Sequence, residues 1–334
     1  INFTDKKVNK LANALKSLKK QKDRSYNSND WFQWSEGRIS LGKRHTKNGP
    51  FRDVHSYGFS IGADKIKKDN KDVMNGYVFQ YGNDNINIGD DDTELDTDAY
   101  SFAFYQTKLN EDNLFTDGII GLSILDIVQR RVNSYSNTLK GNRDGHQIFG
   151  SFNFGKRLVD KKVNLNPNIK LDLGYTRLKS FKEKTNLGNT LADTLFYRAQ
   201  NIKTGLATIG ILLDTIDKRE GEIIHHYGQL DYVADLSQSS DAEFYYLSDQ
   251  STIYNYKTND KSKHNYRIGY GLDITSITGW SLLLNFERFG MSGKGYSNEF
   301  YILLGYVPID DMKFSFELDA MNNNLVEFSN KING

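Results

Sequence analysis

The sequence predicts an all-β fold, an up-and-down antiparallel transmembrane β-barrel of about 12 strands, and three observations lead there. Apolar residues alternate with polar or small ones over segments of about ten residues or more, the second face of those segments carries charge and glycine, and the connections alternate between long and short.

The alternation is clearest where Ile169, Leu171, Leu173 and Tyr175 oppose Lys170, Asp172, Gly174 and Thr176. Side chains at i and i+2 share one face of a strand, so this period of two is a strand signature. It recurs early, with Tyr57, Phe59 and Ile61 against Gly58, Ser60 and Gly62, and with Tyr77, Phe79 and Tyr81 against Val78, Gln80 and Gly82. It recurs late, with Tyr266, Ile268, Tyr270, Leu272 and Ile274 against Arg267, Gly269, Gly271 and Asp273, and with Trp280, Leu282, Leu284 and Phe286 against Ser281, Leu283, Asn285 and Glu287.

Strands are expected at 31–43, 54–66, 73–84, 97–109, 113–131, 145–158, 163–181, 202–216, 221–236, 264–276, 279–292 and 296–308. Residues 44–53, 85–96, 132–144, 182–201 and 237–263 read as long polar loops; the intervening connections are short, and only 293–295 breaks the parity. Short turns at one end and long loops at the other suit an outer-membrane barrel, whereas a sandwich with Greek-key crossovers would not produce them. The strand count becomes 14 if Phe314, Phe316 and Leu318 belong to a strand against which 324–330 pair back.

Composition supports the same reading. The 334 residues are 38% hydrophobic and 13% aromatic, with 20 Tyr and 20 Phe, and no run of about 18 apolar residues exists to cross a membrane as a helix. Tyr suits a membrane interface. The absence of Cys excludes a disulfide framework, thiolate metal ligation and cysteine catalysis. A net charge of +1 from 43 basic and 42 acidic residues gives no nucleic-acid signal. No charged n-region followed by an apolar h-region opens the chain at Ile1, so the start reads as that of a processed product or a fragment of a longer precursor.

Residues 1–29 read as a linker and pore-plugging helix, and 30–334 as the barrel. Val8, Leu11, Leu15 and Leu18 recur at helical spacing, with Lys6, Lys7, Lys10, Lys16, Lys19 and Lys20 around them, which makes a basic amphipathic helix. A barrel of about 12 strands is wider than the eight-strand barrels that side chains fill, so its lumen needs water or a plug. Asp64, Lys170, Asp172, Arg267, Asp273 and Glu287 are the lumen-facing candidates, and an ordinary surface or linker helix is the alternative reading of 6–20.

The order of motifs resembles the autotransporter β-domain of type V secretion over nearly all of residues 6–308. Tyr57-Gly58-Phe59-Ser60-Ile61-Gly62-Ala63-Asp64 is similar to the family's second strand, and Met74-Asn75-Gly76-Tyr77-Val78-Phe79-Gln80-Tyr81 to the third. Leu165-Asn166-Pro167-Asn168 leading into Ile169 to Thr176 resembles the seventh, Gly269-Tyr270-Gly271-Leu272-Asp273 the tenth, and Arg130-Arg131 falls where the family often carries arginine. The family usually stops on an aromatic residue ending its last strand, whereas this sequence continues to Gly334.

The resemblance implies a translocator that exports or anchors a covalently linked N-terminal passenger, with residues 6–20 threaded through the lumen and their lysines, Lys10 and Lys16 among them, facing carboxylates such as Asp64, Asp172, Asp273 and Glu287. It implies outer-membrane lipid and the barrel assembly machinery as partners, a monomer, and the outer membrane of a Gram-negative bacterium as location. A stand-alone porin-like channel is the alternative, and a soluble β-rich adhesion protein a third reading. Some relatives cleave the passenger at a lumen asparagine, and Asn9 and Asn13 lie in the corresponding helix, where ordinary helix surface is the favoured reading.

Neither catalysis nor a cofactor nor a metal is expected. Residues 90–98 are dense in carboxylates but lack the glycine and terminal glutamate of an EF-hand loop. His225 and His226 are adjacent on a strand and point to opposite faces, so they cannot share one lumen metal. No Ser, His and Asp arrangement suggests an acyl-transfer site.

Overall fold

The structure, a computed structural model, describes residues 31–325 apart from breaks at 47–48, 68–69, 90–92, 111, 134–136, 160–162, 186–191, 259–261, 293–294 and 310–311. The expected 6–20 helix therefore lies outside the described residues, as do residues 326–334.

Nineteen strands follow one another, and none of the described residues is helical. They are β1 (Phe32–Thr46), β2 (Gly49–Lys67), β3 (Asn70–Ile88), β4 (Thr93–Leu109), β5 (Leu114–Val132), β6 (Thr138–Lys156), β7 (Leu158–Val159), β8 (Asn164–Leu178), β9 (Phe181–Lys182), β10 (Lys184–Thr185), β11 (Leu195–Tyr197), β12 (Gln200–Arg219), β13 (Glu222–Asp235), β14 (Ser240–Tyr246), β15 (Asp249–Thr258), β16 (His264–Ser276), β17 (Trp280–Met291), β18 (Gly295–Ile309) and β19 (Met312–Leu325).

Thirteen of these close into one barrel: β1 to β6, β8, β12, β13 and β16 to β19. The ring runs through β6–β8 on one side and through β1–β19 on the other. Closure matters because hydrocarbon offers no partner to an open edge.

The strand count corrects the expected 12 or 14. Residues 312–325 form a single strand that pairs with β18 on one side and β1 on the other, so 324 and 325 continue the strand they are expected to pair back against, and 326–330 lie outside the described residues. An odd count has a geometric consequence. The first and last strands run the same way, and β1 pairs with β19 in parallel from Gln33↔Met312 to Thr46↔Leu325, where an all-antiparallel barrel was expected. Parallel ladders are slightly weaker per residue. Side chains reinforce this one: Ser40 Oγ donates to Asp319 Oδ2 at 2.8 Å, and Ser315 Oγ donates to the Ser35 carbonyl at 3.3 Å.

Strands also run further than the apolar pattern. β2 begins at Gly49 and β3 continues to Ile88, so much of the segments read as loops at 44–53, 85–96 and 132–144 is strand. Pairing on both flanks satisfies the backbone wherever the ladder continues, whether or not the outward side chains are apolar. Two connections remain long at this end, between β8 and β12 and between β13 and β16, and they carry strands of their own. At the opposite end the turns are tight; those after β12 and β16 place Gly221 and Gly279 at φ of 84° and 93°, a region that side chains with a Cβ rarely enter.

The two faces differ as the alternation predicts. Phe102, Leu122, Ile124, Ile169 and Ile209 lie between 56% and 63% exposed on the outer face, while Ser101, Ser123, Asp172 and Thr208 are buried on the inner one. Apolar exposure on this scale fits a surface solvated by lipid. At the short-turn end Trp31 sits 5.4 Å from Tyr77, and Trp280 stacks on Tyr306 at 4.4 Å, as an interfacial aromatic girdle would.

Across several strand pairs a ring lies over a glycine directly opposite, as in Trp34↔Gly62, Tyr105↔Gly76 and Phe149↔Gly121. A Cβ at Gly121 would meet the Phe149 ring, Ala103 Cβ at 2.8 Å and the Phe102 carbonyl at 2.9 Å. Gly121→Val is therefore expected to destabilise the barrel by about 1–3 kcal/mol through overpacking. Urea titration of the purified protein checks this, and an unchanged midpoint would show that the ring can move aside.

Candidate functional site in the barrel lumen

The inner wall has two chemical sides. On β8, β13, β16 and β17 it is charged. Arg267 donates through Nη1 to Asp231 Oδ2 at 3.2 Å, and its Nε lies 3.7 Å from Glu287 Oε2. Its guanidinium sits 5.8 Å from the Phe289 ring centroid. Lys170 pairs with Asp172 at 3.1 Å, and Tyr227 donates to Asn285 Oδ1 at 3.0 Å. Gln229 donates a further hydrogen bond to Asp231.

The other side carries apolar clusters among its polar residues. Phe32, Trp34, Val78, Ala103, Tyr105, Ile119 and Phe149 form one buried cluster, on β1 and β3 to β6. Through it runs a polar thread: Trp34 Nε1 donates to the Tyr105 hydroxyl at 3.1 Å, which donates to Asp64 Oδ2 at 2.9 Å. Nearer the long-loop end Leu95, Ala99, Leu125, Ile127 and Leu178 form a second cluster.

Of the residues singled out in the sequence, Asp64, Lys170, Asp172, Arg267, Asp273 and Glu287 all lie on strand positions opposite the exposed apolar rows. Lys170 with Asp172, and Arg267 with Glu287, come together as ion pairs. Asp64 belongs to the apolar side, and Asp273 accepts from Thr275 Oγ1 at 3.4 Å. His225 and His226 part as their adjacency requires: His225 Nε2 meets inward Asp214 Oδ2 at 3.3 Å, and His226 Nδ1 meets outward Tyr270 at 2.9 Å. Among the described residues no group of three or more His, Asp or Glu could hold a metal ion.

Sequence reasoning missed the roof of the lumen. The two long connections contribute β9, β11, β14 and β15 to a small four-stranded sheet, ordered β15-β14-β11-β9. Its aromatic residues stack: Phe181 on Tyr197 at 4.6 Å, Phe196 on Tyr245 at 5.0 Å and Phe244 on Tyr254 at 5.6 Å. The β14–β15 turn is held by Asp249, which accepts from the Ser251 amide at 3.1 Å and from Thr252 Oγ1 at 2.7 Å. Hydrogen bonds from the Ser251 hydroxyl, the Thr252 hydroxyl and the Ser251 amide hold its carboxyl below the ordinary 3.8.

This sheet is fastened to the inner face of β5 and β6. Arg131 grips Glu183 through Nε at 2.7 Å and Nη2 at 2.8 Å, and also donates to the Asp193 carbonyl. Glu183 Oε2 in turn accepts the Leu195 amide at 2.9 Å. Arg143 donates to the Lys179 and Arg198 carbonyls at 2.7 and 3.0 Å, and Phe181 fills the space over Gly141. The local signal for it is the aromatic density of 244–256; the partners lie too far along the chain for sequence patterning to join them.

A model of the autotransporter β-domain family matches residues 31–287. The chain belongs to this family. Among solved structures, the translocator domain of autotransporter NalP from Neisseria meningitidis aligns with a TM-score of 0.58 at 14% identity, covering 87% of this chain and 91% of that one. The β-domain of the Bordetella autotransporter BrkA aligns with a TM-score of 0.55 at 13% identity, covering 78% of this chain and 92% of that one. A search of curated proteins finds no match. This autotransporter β-domain is thus an outer-membrane translocator domain, and its closed barrel encloses the lumen just described.

Arg131→Ala would strand the Glu183 carboxylate, whose side chain is 1% exposed. Losing one partner of a buried, hydrogen-bonded charge costs about 2–5 kcal/mol. Hydrogen exchange at the Leu195 amide is expected to rise at least about tenfold while the barrel amides of β2 to β4 stay protected. Equal protection in the variant would mean that the roof is held by its aromatic stacking alone.

Proposed function

We propose that this β-domain conducts and then anchors its N-terminal passenger through a lumen whose two sides match a basic amphipathic segment. The carrying observation is the division of the inner wall, with Phe32, Val78, Ala103 and Ile119 on one side and Asp172, Asp231 and Glu287 on the other. Residues 6–20 complement it in sequence. Val8, Leu11, Leu15 and Leu18 would face the apolar side, and Lys10, Lys16 and their neighbours the carboxylates.

In this reading the domain sits in the outer membrane of a Gram-negative bacterium, is inserted by the barrel assembly machinery and works as a monomer. It catalyses nothing. Transport needs only a wall that offers hydrogen bonds and charge to a passing backbone, so that the chain is never left dry. The roof on β5 and β6 would leave the β1–β3 and β17–β19 side of the long-loop mouth as the exit.

The test fuses a reporter domain upstream of Ile1 and reverses charge in the helix, as Lys10→Glu with Lys16→Glu. Like-charge juxtaposition costs several kcal/mol, so surface display is expected to fall about tenfold, with single-channel conductance of the purified protein rising as the plug leaves. The heat-dependent gel shift of the barrel should be unchanged. Display and conductance equal to the parent protein would overturn the reading.

A further inference from the structure

The first outward residues beyond the apolar band at the long-loop end differ around the barrel. On β4 and β5, Tyr100 and Ile124 give way to Asp98 with Asp96 and to Asp126, and Asp98↔Asp126 and Asp126↔Asp144 are direct cross-strand pairs. This sector is acidic. On β8 Tyr175 gives way to Arg177, with Lys179 just past the strand's end, on β6 Ile148 gives way to His146, and on β12 Lys203 follows the last apolar residues.

These basic residues form one patch. His146 and Arg177 are directly paired across β6 and β8, while Lys203 pairs with Tyr175, one diagonal step from Arg177. All four are exposed. Lys179 shares Asp144 at 2.8 Å, but Arg177 and Lys203 have no ion-pair partner among the described residues. Directly below them lie exposed Ile148, Leu173 and Tyr175, and the Tyr175 hydroxyl donates to Asn201 Oδ1 at 3.0 Å.

We propose that Arg177, Lys203, Lys179 and His146 form a binding site for the phosphate of an anionic outer-leaflet lipid, its acyl chains lying on Ile148, Leu173 and Tyr175. The inference rests on the outer-membrane reading. Cations at the edge of an apolar wall meet the chemistry of a phosphorylated amphiphile, charge above and hydrocarbon below. Arg adds a planar donor fork suited to phosphate oxygens. The neighbouring carboxylates of Asp96, Asp98 and Asp126 repel the same headgroup, and Asp144 on β6 is countered by Lys179, so the site centres on Arg177 and Lys203 at the β8–β12 side and forms no full ring. The lipid would also brace the strands from which the 179–199 connection starts and to which it returns.

Native mass spectrometry of the full chain released from micelles, with added lipid A as the bis-phosphorylated probe, tests this. Arg177→Gln with Lys203→Gln is expected to lower lipid A retention about tenfold, each surface cation near a charged headgroup contributing a few-fold. Lys108→Gln with Lys156→Gln, exposed cations at the opposite end, should leave retention unchanged. Inorganic phosphate should not displace the lipid, because the acyl contacts are part of the site. Equal retention in the Arg177 and Lys203 variant, equal loss in the control variant, or displacement by phosphate would each overturn the site. A parent chain that stays monodisperse without detergent would instead overturn the membrane reading on which it rests.

Discussion

Everything in this molecule depends on the closure of one hydrogen-bonded ladder. In hydrocarbon each unpaired backbone donor or acceptor costs several kcal/mol, so a row of them along one open strand edge would outweigh the net stability of an ordinary domain. The β1–β19 seam removes that edge. Because the strand count is odd, the seam is parallel, and it carries Ser40–Asp319, Ser315–Ser35 and the Phe316 ring over Gly37 in compensation for its weaker ladder.

Closure also sets where function can reside. Once strands pair all round, alternation sends every second side chain inward, and the lumen becomes a surface whose chemistry the sequence writes strand by strand. Here β8, β13, β16 and β17 contribute charge and β3 to β5 contribute Val78, Ala103 and Ile119. Such a wall discriminates orientation: an amphipathic segment has one favourable rotation within it. The roof adds a second asymmetry at the long-loop end, since its buried Arg131–Glu183 pair ties it to one side only.

Much of this was legible in the sequence. Ile169, Leu171, Leu173 and Tyr175 announce a lipid-facing strand because period two admits no other regular structure, and the inward register of Asp172 and Arg267 follows directly. The strand count was not legible, because Asn322, Asn323 and Asn324 end β19 without apolar alternation and only pairing with β1 and β18 keeps them in a strand. The polar ends of β2 and β3 lack apolar alternation in the same way. The apolar side of the lumen was hidden because Leu95, Ala99 and Ala103 alternate with outward Tyr100, Phe102 and Phe104, so both faces of β4 lean apolar. The roof depends on pairings between residues such as Arg131 and Glu183, and no local pattern encodes partners that distant.

The measurement that reaches the central claim most directly is disulfide formation across the seam. Paired cysteines at Ile39 with Leu318, and separately at Leu41 with Ala320, face each other in the parallel register. Disulfides form where Cα atoms lie about 4.4–6.8 Å apart. The account predicts that both pairs cross-link in the membrane-inserted protein while Leu41 with Phe316 does not. Cross-linking of Leu41 with Phe316, or of neither seam pair, would contradict a barrel closed by β1 and β19 in parallel.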